Sequence, residues 1–354
     1  MSSRAEKLDA LLEAERLDAL LVSGPANLRY LTGYTGTNAL ALAGAPRRLL
    51  TDFRYATQAA SQVHDFEVQI ATGELLHALE LPQGRIGFDD SQITVRQHRQ
   101  LLERSESGVE LVAASGLVER LRAVKEPAEI DLMRAAALLV DELYAWVLER
   151  GVEGRSERSV AADLEAEMRG RGAEGAAFPS IVASGAHGAL PHAVPREEAI
   201  EHGTLVTIDI GAQLDGYCSD CTRTFAVGEP TEPAREIYQL VHAAQLAGLE
   251  AVKPGCTGVE VDAAARKVIE DAGYGEQFGH GLGHGVGLEI HERPRLSRHA
   301  GEAPLEAGNV VTVEPGVYLA GELGVRIEDL VVVGAAAEAP EILSAFTKRL
   351  LLVE

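Results

Sequence analysis

The chain has 354 residues and a mass of 37.6 kDa, with 46% hydrophobic and 24% charged residues. This ordinary globular composition predicts two domains and excludes disorder, collagen or coiled coil as whole-chain readings. With 32 Lys and Arg against 54 Asp and Glu, the net charge is −22, which repels phosphate backbones and anionic membrane surfaces, so neither nucleic acid nor membrane is expected as a partner.

The first 115 or so residues read as one α/β unit. Leu8, Leu11 and Leu12 recur at helical spacing and predict a helix over 5–16. It lacks the uninterrupted apolar core of a signal peptide, and no stretch approaches the ~18 consecutive apolar residues of a membrane span. A cytoplasmic location is the expectation. Ala19–Val22 predicts a buried strand, Asn27–Gly36 is turn-rich, and Ala39–Leu42 and Arg48–Thr51 predict further strands. Helical spacing returns over 54–63, and Arg85–Phe88 reads as another short strand. His64, His77 and His98 stand among polar neighbours and read as solvated or core histidines. A long helical segment over 117–150, interrupted near Pro127, puts the boundary between domains 1–120 and 121–354.

The second domain carries an internal echo. Helices over 128–150 and through Ala161–Met168 precede a strand pair at 205–213 and 217–227; helices over 232–251 and through Asp262–Ile269 precede another at 309–319 and 325–334. Two related halves about a pseudo-twofold axis are expected. In the first strand pair, Asp215-Gly216 is a two-residue turn signal. If Leu214 faces Tyr217, then Asp209 faces Thr222, and Asp220 points to the same sheet face. Carboxylates paired on an apolar face repel unless they share a proton or bind a cation. The second pair embeds Glu314 and Glu328 in equally apolar runs. Two Asp and two Glu carry the charge that two divalent cations balance, as in dinuclear sites.

Within the second half, Phe278–Arg295 alternates glycine with His280, His284 and His291, and in the first half His192 stands in a proline-bounded loop. The dinucleotide and phosphate-loop fingerprints fail here, which argues against a dinucleotide-binding oxidoreductase. His284 is the expected imidazole ligand beside the four acids. Cys218 and Cys221 form a lone C-x-x-C without a second ligand pair and read as packing residues in a reducing compartment.

These residues resemble the metallopeptidase family of the pita-bread fold, which includes Xaa-Pro dipeptidase (prolidase), aminopeptidase P and methionine aminopeptidase. The resemblance rests on Ile208-Asp209-Ile-Gly-Ala, Gly216–Phe225, His280-Gly-Leu-Gly-His284, His291-Glu-Arg-Pro, Val313–Tyr318 and Val325–Asp329, in order. It implies an α+β fold: a pita-bread catalytic domain with an internal pseudo-twofold, preceded by a smaller α/β N-terminal domain. It implies Asp209, Asp220, His284, Glu314 and Glu328 as ligands of two divalent ions (Mn, Co, Zn or Fe), with Asp220 and Glu328 bridging. His192, His291 and Glu314 match catalytic groups, the histidines stabilising an oxyanion and Glu314 passing a proton to the leaving nitrogen. His280, Arg295 and Arg326 match substrate-side positions, Arg295 standing where similar prolidases bind the free proline carboxylate. The substrates implied are short proline-containing peptides and the assembly a homodimer. A dipeptidase is expected, with aminopeptidase P on longer peptides as the alternative. Creatinase and the partner-binding members of the fold lack the ligands that are intact here. Asn38 stands where some prolidases have a histidine.

Overall fold

The computed structural model describes residues 3–335 and 338–354, and the chain divides into the units Met1–Arg122 and Ala123–Glu354. The first unit opens with the helix Arg4–Ala14, started by a capping box between Ser3 and Glu6. Its strands are β1 (Ala19–Val22), β2 (Ala39–Gly44), β3 (Arg48–Asp52), β4 (Glu67–Ala71), β5 (Gly84–Phe88) and β6 (Val109–Ala113), in the order β4-β3-β2-β1-β5-β6. β1 pairs antiparallel with β2 and parallel with β5. Its continuous Ala-Leu-Leu-Val run is buried throughout, as a central strand covered on both faces requires.

The expected turn-rich stretch at 27–36 is instead the helix Pro25–Thr32, begun by Pro25 and closed by Gly33 at φ +76°. Leu28 and Leu31 bury into the unit. Asn27, a turn former in isolation, is committed to tertiary partners: its amide donates to Glu119 and accepts from Arg122, both at 2.7 Å. Local preference is overridden by these long-range bonds. The edge strands β4 and β6 and the helix Val95–Arg104 are further elements absent from the sequence reading. The two strands mix polar and apolar residues and leave only a weak period, whereas the helix is strongly polar and buries only Leu101.

In the second unit the helices Pro127–Arg150 and Glu157–Gly170 precede β7 (Gly175–Ala176), β8 (Ile181–Ser184), β9 (Leu205–Ile210), β10 (Ala212–Leu214), β11 (Tyr217–Cys218) and β12 (Cys221–Val227). The helices Glu232–Ala251 and Gly258–Asp271 precede β13 (Gly283–Gly285), β14 (Glu292–Leu296), β15 (Val310–Val313), β16 (Gly316–Leu319), β17 (Leu323–Arg326) and β18 (Asp329–Val332). β19 (Glu341–Ile342) and β20 (Leu352–Val353) close the chain. The helix-helix-hairpin order thus occurs twice. Each half has its own core: Tyr144, Leu164, Met168, Ile208 and Phe225 meet in the first, and Val241, Val261, Ala265, Val313 and Val325 in the second. The sheets run β20-β12-β9-β8 and β14-β13-β15-β18-β19.

The two expected strand pairs are not continuous. β9 breaks from β10 at Gly211, β11 from β12 after Cys218, β15 from β16 at Glu314-Pro315 and β17 from β18 at Ile327-Glu328. Gly211 lies so close to the facing strand that a Cβ would stand 2.1 Å from the Ser219 carbonyl oxygen. Pro315 has no N–H for a ladder bond. Three of the four embedded acids sit in these interruptions, where side chains and backbone turn away from regular pairing.

Candidate active site and metal centre

The Asp215-Gly216 turn has positive φ at both residues, 44° and 74°, as a tight hairpin demands. It sets the pairings Leu214 with Tyr217 and Asp209 with Thr222. Carboxylate oxygens of Asp209, Asp220 and Glu328 all lie within 4.8 Å of one another. In the second half, β15–β18 and β16–β17 keep one register across their interruption, so Glu314 stands opposite Glu328. His284 enters on β13 between two glycines. A Cβ at Gly283 would lie 2.0 Å from the Thr312 carbonyl, and one at Gly285 2.2 Å from that of Arg293. The alternating glycines therefore let three strands close around the imidazole. His284 Nε2 lies 3.6 Å from Asp220 Oδ2 and 3.4 Å from Glu314 Oε1.

Crowding these acids in the interior has an electrostatic consequence. Burial first, and then the charges of Glu328, Asp209 and Glu314, hold Asp220 well above the usual carboxylate range. Glu328 is raised by burial and by Glu314 and Asp209. Burial takes Glu314 up to about 8, against the pull of Arg326. Burial also lowers the imidazoles: His280 and His284 fall to about 4, and His291 falls with the further push of Arg295 and His192. Neutral imidazoles beside charge-averse carboxylates are the state that a cation would reorganise, since it favours both deprotonated carboxylate and unprotonated imidazole.

The supporting hydrogen bonds have a clear logic. Arg326, itself buried, donates to Asp209 Oδ2 at 2.7 Å, to the Thr222 hydroxyl at 3.0 Å, to the Tyr318 hydroxyl at 2.9 Å and to the Pro191 carbonyl at 3.1 Å. Thr222 donates to Glu328 Oε2 at 2.6 Å, and Thr312 to Glu314 Oε1 at 3.1 Å. Tyr318 meets His280 Nε2 at 2.9 Å. Sequence reasoning placed Thr222 opposite Asp209 but gave it no role, and missed Thr312, although each lies two residues from an acid and so at same-face spacing. It also missed Asp262 and Arg266, whose paired side chains hold the histidine segment. Arg266 donates to the Phe278 and His280 carbonyls and Asp262 accepts from the Leu282 N–H. No local pattern announces that pair.

All ten residues singled out from the sequence line one cavity of about 690 Å³: His192, Asp209, Asp220, His280, His284, His291, Arg295, Glu314, Arg326 and Glu328. His284 and His291 stack edge-on at 4.3 Å between ring centroids. Arg295 pairs across the strands with His284, which puts both side chains on one face. Phe178, Ile181 and Ile290 add an apolar wall that the sequence reading did not foresee. Cys218 and Cys221 are free and buried, Cys221 accepting from Arg223 at 3.2 Å. In the N-terminal unit Asn38 donates to Asp52 and its carbonyl accepts from the Thr51 hydroxyl at 2.7 Å.

The donor set fits divalent cations. Asp209 Oδ2 is taken by Arg326, whereas its buried Oδ1 has no hydrogen-bond partner among the described residues. A buried carboxylate oxygen left bare among further acids is what an oxygen-seeking cation would satisfy. Residues 131–335 match metallopeptidase family M24, and residues 4–124 match the creatinase/prolidase N-terminal domain. The chain belongs to metallopeptidase family M24, in its pita-bread prolidase and aminopeptidase P group, and is a peptidase. Among its relatives, an Xaa-Pro dipeptidase of Pyrococcus furiosus is 37% identical over 347 residues, 94% of this chain and 95% of its own. A solved Xaa-Pro dipeptidase from Bacillus anthracis is 40% identical with a TM-score of 0.94, over 99% of both chains. A solved X-Pro aminopeptidase from Thermotoga maritima is 34% identical with a TM-score of 0.89, over 99% of this chain and 100% of its own.

Proposed function

We propose that the protein is an Xaa-Pro dipeptidase, a prolidase that cleaves a dipeptide at the bond preceding its C-terminal proline. The observation that carries this reading is Arg295. It is exposed to the cavity, lies on the face of His284, and has no carboxylate partner among the described residues. A guanidinium so placed suits the free carboxylate of a C-terminal proline. The names of the Pyrococcus and Bacillus relatives support it. The name of the Thermotoga structure favours a second reading, an aminopeptidase acting on tripeptides and longer.

Asp209, Asp220, His284, Glu314 and Glu328 would hold two divalent ions; Mn, Co, Zn and Fe all suit oxygen-rich ligation with one imidazole. When bound, the ions supply Lewis-acid chemistry, polarising the scissile carbonyl and making a water acidic enough to attack at neutral pH. The chain's own groups do the rest. His192 and His291 face the cavity and donate to the oxygen on which charge develops. Glu314, held on one oxygen by Thr312, carries the proton to the leaving proline nitrogen. His280 and Arg326 fix the substrate side through Tyr318. Arg295 takes the carboxylate, and the apolar wall receives the side chain of the first residue. A homodimer in the cytoplasm completes the reading; among the described residues no helix is long and apolar enough to cross a membrane.

The test is a set of peptides, Leu-Pro, Leu-Ala and Leu-Pro-Pro, offered to protein loaded with Mn, Co or Zn. Release of leucine from Leu-Pro far ahead of the other two supports the dipeptidase. Equal cleavage of Leu-Ala overturns proline specificity, and cleavage of Leu-Pro-Pro alone establishes the second reading.

A further inference from the structure

His192 lies on a segment, residues 185–196, that apolar packing holds only through the small side chains of Ala189 and Ala193. Leu190 is 55% and Val194 75% exposed. The segment is fastened instead to one carboxylate outside the site. Glu157, on the first turn of the helix Glu157–Gly170, has a side chain with no exposed surface. Its Oε1 accepts from the Ser184 N–H at 2.8 Å and the Ser184 hydroxyl at 3.0 Å. Its Oε2 meets His187 Nδ1 at 2.8 Å and accepts from the Arg196 N–H at 3.1 Å and Arg196 Nε at 3.4 Å. One buried side chain therefore ties both ends of the loop and its first turn. The middle is held by Arg326 donating to the Pro191 carbonyl, and by Gly324, where a Cβ would stand 1.8 Å from the Gly188 carbonyl oxygen. The Arg158 N–H also donates to the Arg196 carbonyl at 2.9 Å, so losing the carboxylate would loosen the loop without detaching it.

We infer that Glu157 is a positioning residue for the peptidase reaction, acting through His192 by closing the loop that carries it. The inference rests on the role proposed above for His192. The chemistry favours an ionised carboxylate at this point, because it offers acceptors only and every group around it can donate. Glutamine has the same shape but turns an NH₂ toward two or three of those donors, leaving buried polar groups unmatched.

The experiment is a double-mutant cycle on the metal-loaded enzyme with Glu157→Gln and His192→Ala, read as kcat and KM and paired with hydrogen exchange over residues 185–196. E157Q is expected to lower kcat by ~10–100-fold, by analogy with the loss seen when groups that orient metal ligands are removed, with KM changed far less. The double variant is expected to fall no lower than H192A alone. Exchange is expected to quicken over 185–196 and stay unchanged over 209–228. If E157Q does not fold, Ser184→Ala removes one donor, keeps the carboxylate and carries the same cycle with a smaller loss. Wild-type kcat in E157Q, a double variant losing the product of the two single losses, or unchanged exchange over 185–196 overturns the inference. A wild-type enzyme that cleaves no Xaa-Pro peptide defeats the proposed function instead, and the exchange result still decides whether Glu157 holds the loop.

Discussion

Arg295 gives the sharpest handle on what the cavity recognises. If its guanidinium binds the free carboxylate of proline, then Leu-Pro should be preferred over Leu-Pro-amide, which presents the same bond without the charge. Hydrogen bonds to charged groups contribute about 1.5–3 kcal/mol net. Arg295 is exposed, so solvent screening places it at the low end. At about 1.4 kcal/mol per factor of ten, ~1.5–2 kcal/mol corresponds to a preference of roughly 10–30-fold in kcat/KM. The carboxylate is bound equally before and during reaction, so the difference should lie in KM. Arg295→Ala should abolish the preference while leaving turnover of the amide unchanged. Arg295→Lys should keep part of it, because a point charge replaces the two-pronged fork. Steady-state kinetics on the acid and the amide with all three proteins is the assay. A wild-type enzyme indifferent to the amide, or an R295A enzyme that keeps the preference, refutes the reasoning.

Three further outcomes follow from the site. Exhaustive chelation should stop hydrolysis, and restoring a divalent ion at one hundred times its dissociation constant should stabilise the fold by about 2.7 kcal/mol; Asp220→Asn should lose both the bound metal, measured by elemental analysis, and the gain in Tm, and full activity in chelator would end the metal assignment. The half-buried His280 imidazole, lowered to about 4 by desolvation, is a base whose folded pKa lies below its unfolded value near 6.5. Its contribution is therefore present above pH ~6.5 and lost as pH falls toward 4, by roughly 3 kcal/mol at most. Denaturation of wild type and His280→Gln across that window should show the wild type losing its advantage on acidification, and parallel curves would contradict it. Finally, burial first pushes the Cys218 thiol up to about 12 and also raises Cys221, so native alkylation followed by mass spectrometry should modify Cys256 well ahead of both; rapid labelling of Cys218 would restore a reactive role to the C-x-x-C pair.

Much of the catalytic half was legible because its signals are local. The Asp215-Gly216 turn sets a register, and period-two alternation then puts Asp209 and Asp220 on one face. The doubled helix-helix-hairpin order exposes two halves without any knowledge of their packing. Elements with weak periodicity were not legible: β4 and β6 at the edges of the first sheet, and the helix Pro25–Thr32, where Asn27 follows Glu119 and Arg122 rather than its own turn preference.

The amino-acid order alone thus determined the turn at Asp215-Gly216, the shared face of Asp209 and Asp220 and the motif set that marks the family. Only the tertiary structure decided how those faces meet: that Glu314 confronts Glu328 across a broken ladder, that Arg326 reaches Asp209 from more than a hundred residues away, and that Glu157 fastens the loop of His192. The reason is physical. Turn geometry and side-chain period act over a few residues and are written in them, whereas desolvation and Coulomb energy depend on which distant groups share a buried volume, and that is fixed only when the two halves close on one another.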